Sequence, residues 1–315
     1  MKRLLVLGGT GFVGQSVCER LVERNGGGGG SVLVPTRRQR SGRDLQSLPT
    51  VEIVEADVHD DTALARCVAG RDAVINLVAI LHGSAADFER VHIALPRRLA
   101  AACATAGVRR VIHVSALGVG PQAPSNYLRS KTAGEQALHA AALDLTVLRP
   151  SVIFGAGDRF LNLFASLQAL APVVPLAGAS SQYQPVWVED VASAVVRCLD
   201  RPDTIGQTIE CAGPRVCTLA ELVQLAGRAS GHERPVLALP GFLARLQAGL
   251  MELAPGQPLL SRDNLDSMKT PNVASGNLPG LASLGIEPAS LEAIVPGYLG
   301  TRQGTARLEG WRARR

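Results

Sequence analysis

Aromatic residues are scarce, at 3% of the 315-residue sequence, so the chain offers little surface on which nucleic-acid bases could stack. Long apolar runs are missing as well. The two longest, residues 73–81 and 161–177, are too short or are interrupted by Pro172, Pro175 and Gln168, which argues against a membrane-spanning helix. The apolar run after Arg3 ends at Gly8, too early for a signal peptide. We therefore expect a cytoplasmic protein that binds no nucleic acid.

Metal-binding and disulfide patterns are absent too. No Cys-x-x-Cys occurs, and no histidines stand at metal-ligand spacing from a cysteine, so we expect no metal site. The net charge of +5 is modest and comes largely from residues 37–43 and 302–315. The six cysteines are predicted to be small buried side chains in a reducing compartment: Cys18, Cys67, Cys103, Cys198, Cys211 and Cys217.

What the sequence does contain is a regular alternation of apolar strands and amphipathic helices. Helices are predicted over residues 86–106 and 126–142, and Asp60 is predicted to cap another that ends at residue 69. The alternation predicts an α/β fold, a Rossmann-type doubly wound parallel sheet with right-handed crossovers. The predicted strands are residues 4–7, 31–35, 51–55, 73–77, 110–115 and 145–148.

Beyond Pro150 the pattern changes, because proline and glycine become frequent and the loops lengthen. Thr218 and Glu221 form a capping box that predicts a helix start. We predict three parts: a Rossmann domain over 1–150, completed by strands from 151–215; a smaller, mostly helical substrate or partner region over 151–300; and a basic tail over 301–315. Further elements are predicted at helices 159–170, 191–199 and 240–254 and strands 183–188 and 207–210.

A glycine-rich turn joins the first predicted strand to the first predicted helix. Gly8, Gly11 and Gly14 have the spacing typical of loops that hold a dinucleotide pyrophosphate. Gly8 would make the tight turn, Gly11 would let the pyrophosphate approach, and Gly14 would let the helix lie close on the sheet. The N–H groups at the helix N-terminus favour a phosphate. A structural turn without a ligand stays the alternative for the motif taken alone.

The end of the second predicted strand indicates which dinucleotide fits. Residues 24–43 contain no Asp or Glu to bind the ribose hydroxyls of NAD and offer Thr36, Arg37 and Arg38 instead. Positive charge there suits the 2′-phosphate of NADP(H), so we expect NADP(H) to be preferred over NAD(H), with Arg37 as the principal contact and Arg38 as the second. The alternative is a solvated basic loop.

Two further strand ends face the expected cofactor. Asp57 and Val58 follow the third strand, where a carboxylate and a main-chain N–H could meet the adenine ring. Residues 76–79 end the fourth strand against the expected nicotinamide ribose. Asp57 could equally be a residue that leads into the next helix.

Tyr127 and Lys131 form the clearest catalytic pattern. Four residues apart on a predicted helix, they share one face, and the ammonium group is expected to lower the pKa of the phenol toward the working pH. A tyrosine of this kind is a credible acid or base for hydride transfer to a carbonyl. An ordinary exposed pair is the alternative if the two residues are taken alone.

In their order and spacing these motifs resemble the extended or atypical short-chain dehydrogenase/reductases. The matching stretches are Gly8-x-x-Gly11-x-x-Gly14, Tyr127-x-x-x-Lys131 and residues 149–155 and 184–192, and the resemblance extends over nearly the whole chain. More narrowly, residues 113–118, 127–135 and 261–265 are similar to the branch containing the NADPH-binding accessory subunit of respiratory complex I and its bacterial relatives.

The resemblance implies catalytic roles for Tyr127 and Lys131, with Lys131 also holding the nicotinamide ribose and residues 150–153 touching the nicotinamide end. Extended members carry a catalytic Ser or Thr just after the fifth strand. Here that position falls on Ala116, with Ser115 one residue earlier, so either Ser115 reaches the site or the catalytic set is incomplete. Motifs and resemblance together indicate these cofactor-binding residues: Gly8, Thr10, Gly11, Phe12, Val13, Gly14, Thr36, Arg37, Arg38, Asp57, Val58, Leu77, Val78, Ala79, Val114, Ser115, Tyr127, Lys131, Pro150, Val152 and Ile153.

Three functions follow as hypotheses. The first is an NADPH-dependent oxidoreductase with a quinone or respiratory-chain connection, and the second is a non-catalytic NADPH-binding accessory protein. The third, a sugar-nucleotide epimerase or dehydratase, ranks lowest because such enzymes usually hold NAD. The apolar helix 240–254 and the basic tail with Leu308 and Trp311 favour peripheral association with the inner face of a membrane or with a respiratory complex; a pocket cover and a solvated tail are the alternatives.

Overall fold

The computed structural model describes residues 2–24, 26, 30–253 and 258–300. It contains two compact units. Unit 1 comprises residues 1–150, 189–211 and 275–286, and unit 2 comprises the remainder. The whole tail predicted over 301–315, with Leu308 and Trp311, lies outside the described residues. The domain limits expected from the sequence stay a prediction.

Strands and helices alternate along the described chain. The strands are β1 Arg3–Leu7, β2 Ser31–Thr36, β3 Val51–Glu55, β4 Ala73–Asn76, β5 Arg110–Val114, β6 Asp144–Pro150, β7 Ile153–Phe154, β8 Val174–Leu176, β9 Gln182–Tyr183, β10 Val186–Trp187, β11 Thr208–Cys211, β12 Cys217–Thr218 and β13 Val236–Ala238. The helices are α1 Phe12–Arg24, α2 Asp61–Val68, α3 Ala85–Phe88, α4 Leu95–Ala106, α5 Asn126–His139, α6 Leu161–Leu170, α7 Val188–Asp200, α8 Leu219–Ser230, α9 Gly241–Glu252, α10 Arg262–Ser267 and α11 Leu291–Leu299.

The seven-stranded sheet of unit 1 confirms the predicted fold class. Its strand order is β11-β6-β5-β4-β1-β2-β3, and every neighbouring pair is parallel. The order reverses between β1 and β4, and in such sheets ligands bind at the carboxyl ends of the strands beside this reversal. The glycine turn follows β1, and residues 77–79 of the predicted segment follow β4, so both sequence-predicted segments lie at that point.

The central strands form because their apolar side chains are covered on both faces, as is usual for a parallel sheet. Leu4, Leu5 and Leu7 of β1 are 0% exposed. Burial of one leucine side chain stabilises a fold by about 1.5–3 kcal/mol. Local signals fix the helix ends as predicted: Asp60 Oδ1 accepts a hydrogen bond from Ala63 N at 2.7 Å, and Thr218 with Glu221 forms the capping box.

The helix predicted over residues 86–106 is interrupted. Between α3 and α4 the chain forms a π-helical segment, Glu89–Ala94. Pro96 follows directly in α4; it has no N–H to donate to the carbonyl of His92, four residues earlier, and its ring would crowd that oxygen in a regular α-helix. Widening to a π-helix relieves this conflict.

Helix α5 packs against the π-helical segment at very short range. A Cβ atom at Gly134 would lie 2.0 Å from the carbonyl oxygen of His92. Only a glycine at position 134 therefore lets the two backbones approach to this distance. Because α5 carries Tyr127 and Lys131, this contact also sets where those side chains lie.

Other predictions needed correction. Residues 39–45 form a 3-10 helix that the sequence reasoning missed. The strand predicted over 183–188 is instead two short strands, β9 and β10, which pair with different partners within unit 2. The helix predicted from residue 191 begins at Val188. In each case the change depends on pairing or packing with residues distant in sequence.

Helix α9 of unit 2 presents its apolar side chains to solvent. Phe242 is 72% exposed, Leu246 60% and Leu250 62%, whereas Ala244 and Ala248 are the buried residues of the helix. Within the described residues no helix is long and apolar enough to cross a bilayer. No group of three or more His, Cys, Asp or Glu side chains could hold a metal ion in that same part of the chain.

Two helix-interior glycines allow a matched stability test. Gly134→Ala should lower the free energy of unfolding by about 1–3 kcal/mol, because the new methyl group overlaps the His92 carbonyl. Gly249→Ala in α9 should raise it by up to about 1 kcal/mol, since its Cβ meets nothing within 4 Å and alanine favours a helix. Urea unfolding measures both, and changes of the same sign would contradict the packing argument.

Candidate functional site

The glycine turn has the geometry that a pyrophosphate needs. Gly8 adopts a φ of 81°, and a Cβ there would lie 3.1 Å from the carbonyl carbon of Leu77. Gly11 N donates to Gly8 O at 3.0 Å, and Gly11 is exposed. The first turn of α1 contains no acidic residue that would repel a phosphate, and its Phe12 and Val13, like Thr10 before it, are half-buried.

The role expected for Gly14 needs refinement. A Cβ at Gly14 would lie 2.3 Å from Gly8 O and 2.5 Å from the Cα of Gly9. The absence of a side chain therefore lets the first turn of α1 lie against the glycine turn itself, rather than against the face of the sheet. This close packing still favours binding of an anion, because it holds the N-terminus of α1 beside the glycine turn.

Two arginines follow β2 with their side chains exposed. Thr36 is buried, and its Oγ1 donates to the carbonyl of Arg38 at 3.1 Å, which shapes the turn. The side chains of Arg37 and Arg38 make no hydrogen bond or ion pair within the described residues. Arg37 lies close enough to His59 to contribute to the lowered pKa of that imidazole, after the larger effect of burial and alongside Arg90 and Arg98.

Asp57 and Val58 lie at the end of β3, as predicted. Asp57 Oδ1 accepts the N–H of His59 at 3.0 Å and so shapes the approach to the Asp60 cap. This contact is the helix-approach role that the sequence left open. Val58 packs against the main apolar core of unit 1.

Residues 77–79 follow β4 beside the glycine turn. Leu77 N donates to Leu7 O at 2.9 Å, and Val78 N donates to Asn76 Oδ1 at 3.2 Å. Ala79 is exposed. The Nδ2 group of Asn76 contacts His113 Nδ1 at 3.2 Å, so this imidazole nitrogen is the acceptor.

Tyr127 and Lys131 both lie on α5, and the structure gives pKa shifts that differ from the sequence expectation. Burial raises the pKa of Tyr127 to about 12, whereas Lys131 was expected to lower it. Burial lowers the pKa of Lys131 to about 8, opposed by the nearby carboxylate of Glu135. Tyr127 therefore keeps its proton at neutral pH, which suits a group that donates a proton. Helical spacing alone could not reveal this burial.

Lys131 is held by contacts that sequence reasoning missed. It is 2% exposed, and its Nζ donates to the Val114 carbonyl at 2.8 Å. Glu135, one turn further along α5, accepts hydrogen bonds from Arg149 Nε at 3.1 Å and from Arg149 Nη2 at 2.5 Å. The Lys131 ammonium group is thus held at the end of β5 beside the Glu135 carboxylate, which Arg149 of β6 holds in place.

Ser115 follows Val114 directly and is 5% exposed. Its N–H donates to Leu148 O at 2.7 Å, but its Oγ has no hydrogen-bond partner within the described part of the chain. Buried hydroxyl groups are normally paired, so an unpaired one at a strand end is typical of a site that awaits a ligand. Ala116, the position at which the sequence resemblance predicts the catalytic Ser or Thr, is buried and has no polar side-chain atom.

The structure also places His92 and Ser130 beside Tyr127. His92 Nδ1 lies 2.8 Å from Ser130 Oγ, and Ser130 Oγ donates to the Tyr127 carbonyl at 2.8 Å. The rings of His92 and Tyr127 meet edge to face, with centroids 5.5 Å apart. One signal in the sequence could have identified this contact. His92 is a polar residue within an apolar helical stretch, and Pro96 follows it four residues later.

The remaining predicted residues divide between the two units. Pro150 ends β6 in unit 1, where its carbonyl accepts the N–H of Leu117 at 2.9 Å. Val152 and Ile153 belong to unit 2. There Val152 N donates to Asn272 Oδ1 at 2.8 Å, and Ile153 pairs with Val186. Within unit 1, the glycine turn, residues 77–79, Ser115, Tyr127 and Lys131 all lie on elements that meet at the carboxyl ends of neighbouring strands.

The two buried histidines give a pH-dependent stability test. Burial, followed by the Lys131 charge, lowers the pKa of His92 to about 3 and that of His113 well below its usual 6.5. Below about pH 6.5 the unfolded chain therefore binds protons that the folded protein does not. For each histidine the free energy of unfolding should fall progressively more steeply between pH 6.5 and 5, with a slope that approaches about 1.4 kcal/mol per pH unit near pH 5.

Urea unfolding at several pH values measures this slope, and His92→Phe should remove the contribution of one histidine. Ser166→Ala, at an exposed position of α6 and without a titratable group, is the control and should leave the slope unchanged. Equal slopes in the wild type and in His92→Phe would contradict a neutral buried His92.

Comparison with known proteins identifies relatives along most of the chain. The mitochondrial NADH dehydrogenase (ubiquinone) 1 alpha subcomplex subunit 9 of Mus musculus is 33% identical over 294 residues, which cover 91% of this chain and 77% of that protein. The NADH-ubiquinone oxidoreductase 40 kDa subunit of Neurospora crassa is 29% identical, with 96% and 80% covered. A ceramide reductase of Caulobacter vibrioides is 34% identical over 196 residues, with 61% and 59% covered.

Solved structures share the fold. An epimerase from Methanothermobacter thermautotrophicus superposes with a TM-score of 0.76 at 18% identity, over 99% of this chain and 94% of that one. MoeE5 with bound UDP-glucose and NAD gives a TM-score of 0.71 at 19% identity, over 94% and 97%. The family model for NAD dependent epimerases and dehydratases matches residues 4–212. With its sheet, glycine turn and Tyr-Lys helix, the chain belongs to the NAD-dependent epimerase/dehydratase family of extended short-chain dehydrogenase/reductases.

Proposed function

We propose that the protein is an NADPH-dependent oxidoreductase that reduces a carbonyl or quinone. The observation that carries this proposal is the arrangement around the end of β5: Lys131 bonded to Val114, Tyr127 on the same helix, and the unpaired Ser115 hydroxyl group. The Ser115 hydroxyl group, buried and without a partner in the described part of the chain, can donate a hydrogen bond to a substrate oxygen.

Each side chain then has a definite part in the chemistry. Bound NADPH would supply the hydride that a carbonyl carbon needs for reduction, and the residues of this chain would position it and supply the proton. Tyr127, protonated at neutral pH, donates its proton to the carbonyl oxygen, so that the product is an alcohol. Ser115 Oγ donates a hydrogen bond to the same oxygen, and Lys131 holds the nicotinamide ribose. Ser115 thereby takes over the role that Ala116 cannot perform.

The preference for NADP(H) is part of the proposal. Arg37 and Arg38 follow β2, their side chains are exposed, and neither is engaged within the described residues. A guanidinium group binds a phosphate through two parallel hydrogen bonds, whereas the hydroxyl groups of an NAD ribose need a carboxylate. Gly8, Thr10, Gly11, Phe12, Val13 and Gly14 would hold the pyrophosphate, and Asp57, Val58 and residues 77–79 would line the adenine and ribose ends.

Cofactor titration tests this preference. Arg37→Ala should weaken NADPH binding about ten-fold or more, since a hydrogen bond to a charged group contributes about 1.5–3 kcal/mol, and should leave NADH binding within about two-fold. Arg38→Ala should have a smaller effect. Arg43→Ala, in the same basic segment, is the matched control. Tighter binding of NADH by the wild type, or unchanged NADPH affinity in Arg37→Ala, would contradict the proposal.

A second candidate function is that of a non-catalytic NADPH-binding accessory protein. It is favoured by Ala116 and by the similarity to a mitochondrial NADH dehydrogenase subunit over 91% of the chain. Under this hypothesis the cofactor stabilises the fold by linkage, and the partner is a respiratory complex at the inner face of a membrane. Exposed Phe242, Leu246 and Leu250 of α9 provide an apolar contact surface. A cytoplasmic location stays a prediction from the sequence.

A sugar-nucleotide epimerase or dehydratase ranks third. One structural neighbour binds UDP-glucose together with NAD. Here, however, β2 is followed by two arginines and no carboxylate, which is unfavourable for NAD. Production of a 4-keto or epimerised sugar nucleotide from a nucleotide-sugar substrate would favour this function over the first two.

Turnover separates the first two functions. NADPH oxidation by a panel of carbonyls and quinones, including ubiquinone analogues, should be abolished in Tyr127→Phe and reduced about ten-fold or more in Ser115→Ala. Both variants should bind NADPH within about two-fold of the wild type. Tyr183→Phe, which removes a hydroxyl group from a tyrosine of unit 2, is the control. Tight NADPH binding without oxidation by any compound would favour the accessory function.

A further inference from the structure

His92 connects two parts of unit 1 that the proposed function uses separately. The backbone N–H of Ile80, just after the segment proposed to line the nicotinamide ribose, donates to His92 Nε2 at 3.1 Å. On the other side of the ring, His92 Nδ1 lies 2.8 Å from Ser130 Oγ. Ser130 Oγ donates to the carbonyl of Tyr127 at 2.8 Å. One imidazole therefore joins the loop after β4 to the helix that carries the tyrosine.

The donors and acceptors in this network fit only one proton arrangement. A backbone N–H can only donate, so His92 Nε2 must accept and the neutral ring carries its proton on Nδ1. That proton goes to Ser130 Oγ, whose own proton goes to the Tyr127 carbonyl. Every hydrogen bond in the network is therefore donated in the same direction, from Ile80 toward Tyr127.

The surroundings hold the ring rigidly. His92 is 3% exposed and Ser130 is 7% exposed. The ring of Phe88 stacks on His92 with centroids 5.5 Å apart and meets Tyr127 edge to face at 6.2 Å. Behind the ring, the contact between the His92 carbonyl and Gly134 fixes the backbone of the π-helical segment against α5. Hydrogen bonds, ring contacts and backbone packing therefore all act on the same residue.

We propose that His92 is a positioning residue: through Ser130 it sets the place of Tyr127 relative to the loop that holds the nicotinamide ribose. The inference rests on the proposed oxidoreductase function, because it assigns no contact between His92 and substrate. A displacement of the tyrosine relative to the hydride donor reduces the rate of chemistry far more than it reduces affinity for the cofactor. His92 and Ser130 should therefore act mainly on kcat.

The test compares His92→Phe, which keeps the ring contacts and loses both hydrogen bonds, with Ser130→Ala, which removes only the middle hydroxyl group. We expect Ser130→Ala to lower kcat for NADPH oxidation about ten-fold or more, with the NADPH dissociation constant within two-fold of the wild type. We expect His92→Phe to lower kcat at least as much and, because it also frees Ile80, to weaken NADPH binding two- to five-fold. In the double variant, kcat should equal that of His92→Phe.

Two controls separate positioning from general destabilisation. Ser166→Ala removes a helical serine hydroxyl group that likewise donates to a backbone carbonyl, at 2.8 Å, and should leave kcat unchanged. Nitrogen-15 NMR of the imidazoles should find His92 as the Nδ1-protonated tautomer in the wild type and in Ser130→Ala, because the Ile80 N–H requires an acceptor at Nε2 in both proteins. A merely structural His92 would lower the melting temperature without changing kcat at 20 °C, and that result would overturn the inference.

The outcomes also separate this inference from the proposed function. If the wild type binds no NADPH, the proposed function is wrong. If the wild type oxidises NADPH and Ser130→Ala has the same kcat, or if the losses in the two single variants multiply in the double variant, the positioning role is wrong. If NADPH binds and no compound oxidises it, either of two results would contradict the hydrogen-bond network. One is an Nε2-protonated His92 in the NMR spectrum, and the other is unchanged NADPH affinity in His92→Phe.

Discussion

A buried ammonium group is the constraint on which the arrangement of unit 1 depends most. Removing the Lys131 charge from water would destabilise the fold by several kcal/mol if nothing compensated it. The compensation comes from the Val114 carbonyl at the end of β5 and from Glu135, which Arg149 of β6 clamps through two hydrogen bonds. To keep the ammonium group satisfied, α5 has to lie across these two strands in one register. The position of Tyr127 follows from that requirement.

The same region differs from the rest of the unit in how its elements are held. Most of the sheet is stabilised by apolar side chains with no polar atoms to satisfy, such as Leu4 and Leu5. Around α5, by contrast, several buried polar groups each have a hydrogen-bond partner: Asn76 contacts His113, His92 contacts Ser130, and Lys131 donates to the Val114 carbonyl. Buried polar networks specify geometry more sharply than apolar contacts, because each group needs a partner in one direction. An arrangement of this kind suits a site in which reacting groups must be held to a fraction of an ångström.

Most of the sheet could be predicted from the sequence, because β1 to β6 are short segments whose apolar runs or, in β3, alternating apolar residues are a local signal. The caps at Asp60 and Thr218 were equally local, since a side chain there bonds to a backbone N–H three residues on. The π-helical segment could not be derived in the same way: Pro96 marks the conflict with His92, but its resolution depends on Gly134, almost forty residues later. The raised pKa of Tyr127 was missed for a related reason, since helical spacing indicates neighbours and burial depends on the whole fold. Features formed by one strand or one turn could therefore be predicted from the sequence, whereas contacts between helices could not.

The last strand of the large sheet comes from far along the chain. β11 pairs in parallel with β6, yet 57 residues that belong largely to unit 2 separate Pro150 from Thr208. During synthesis, β6 must remain an open sheet edge until residue 211 has left the ribosome, because no earlier segment supplies its hydrogen-bonding partner. Open edges recruit strands from other chains, so the nascent protein passes through a stage that is prone to aggregation. The order of the strands thus leaves the β6 edge of the sheet without its partner for as long as residues 151–211 are being translated.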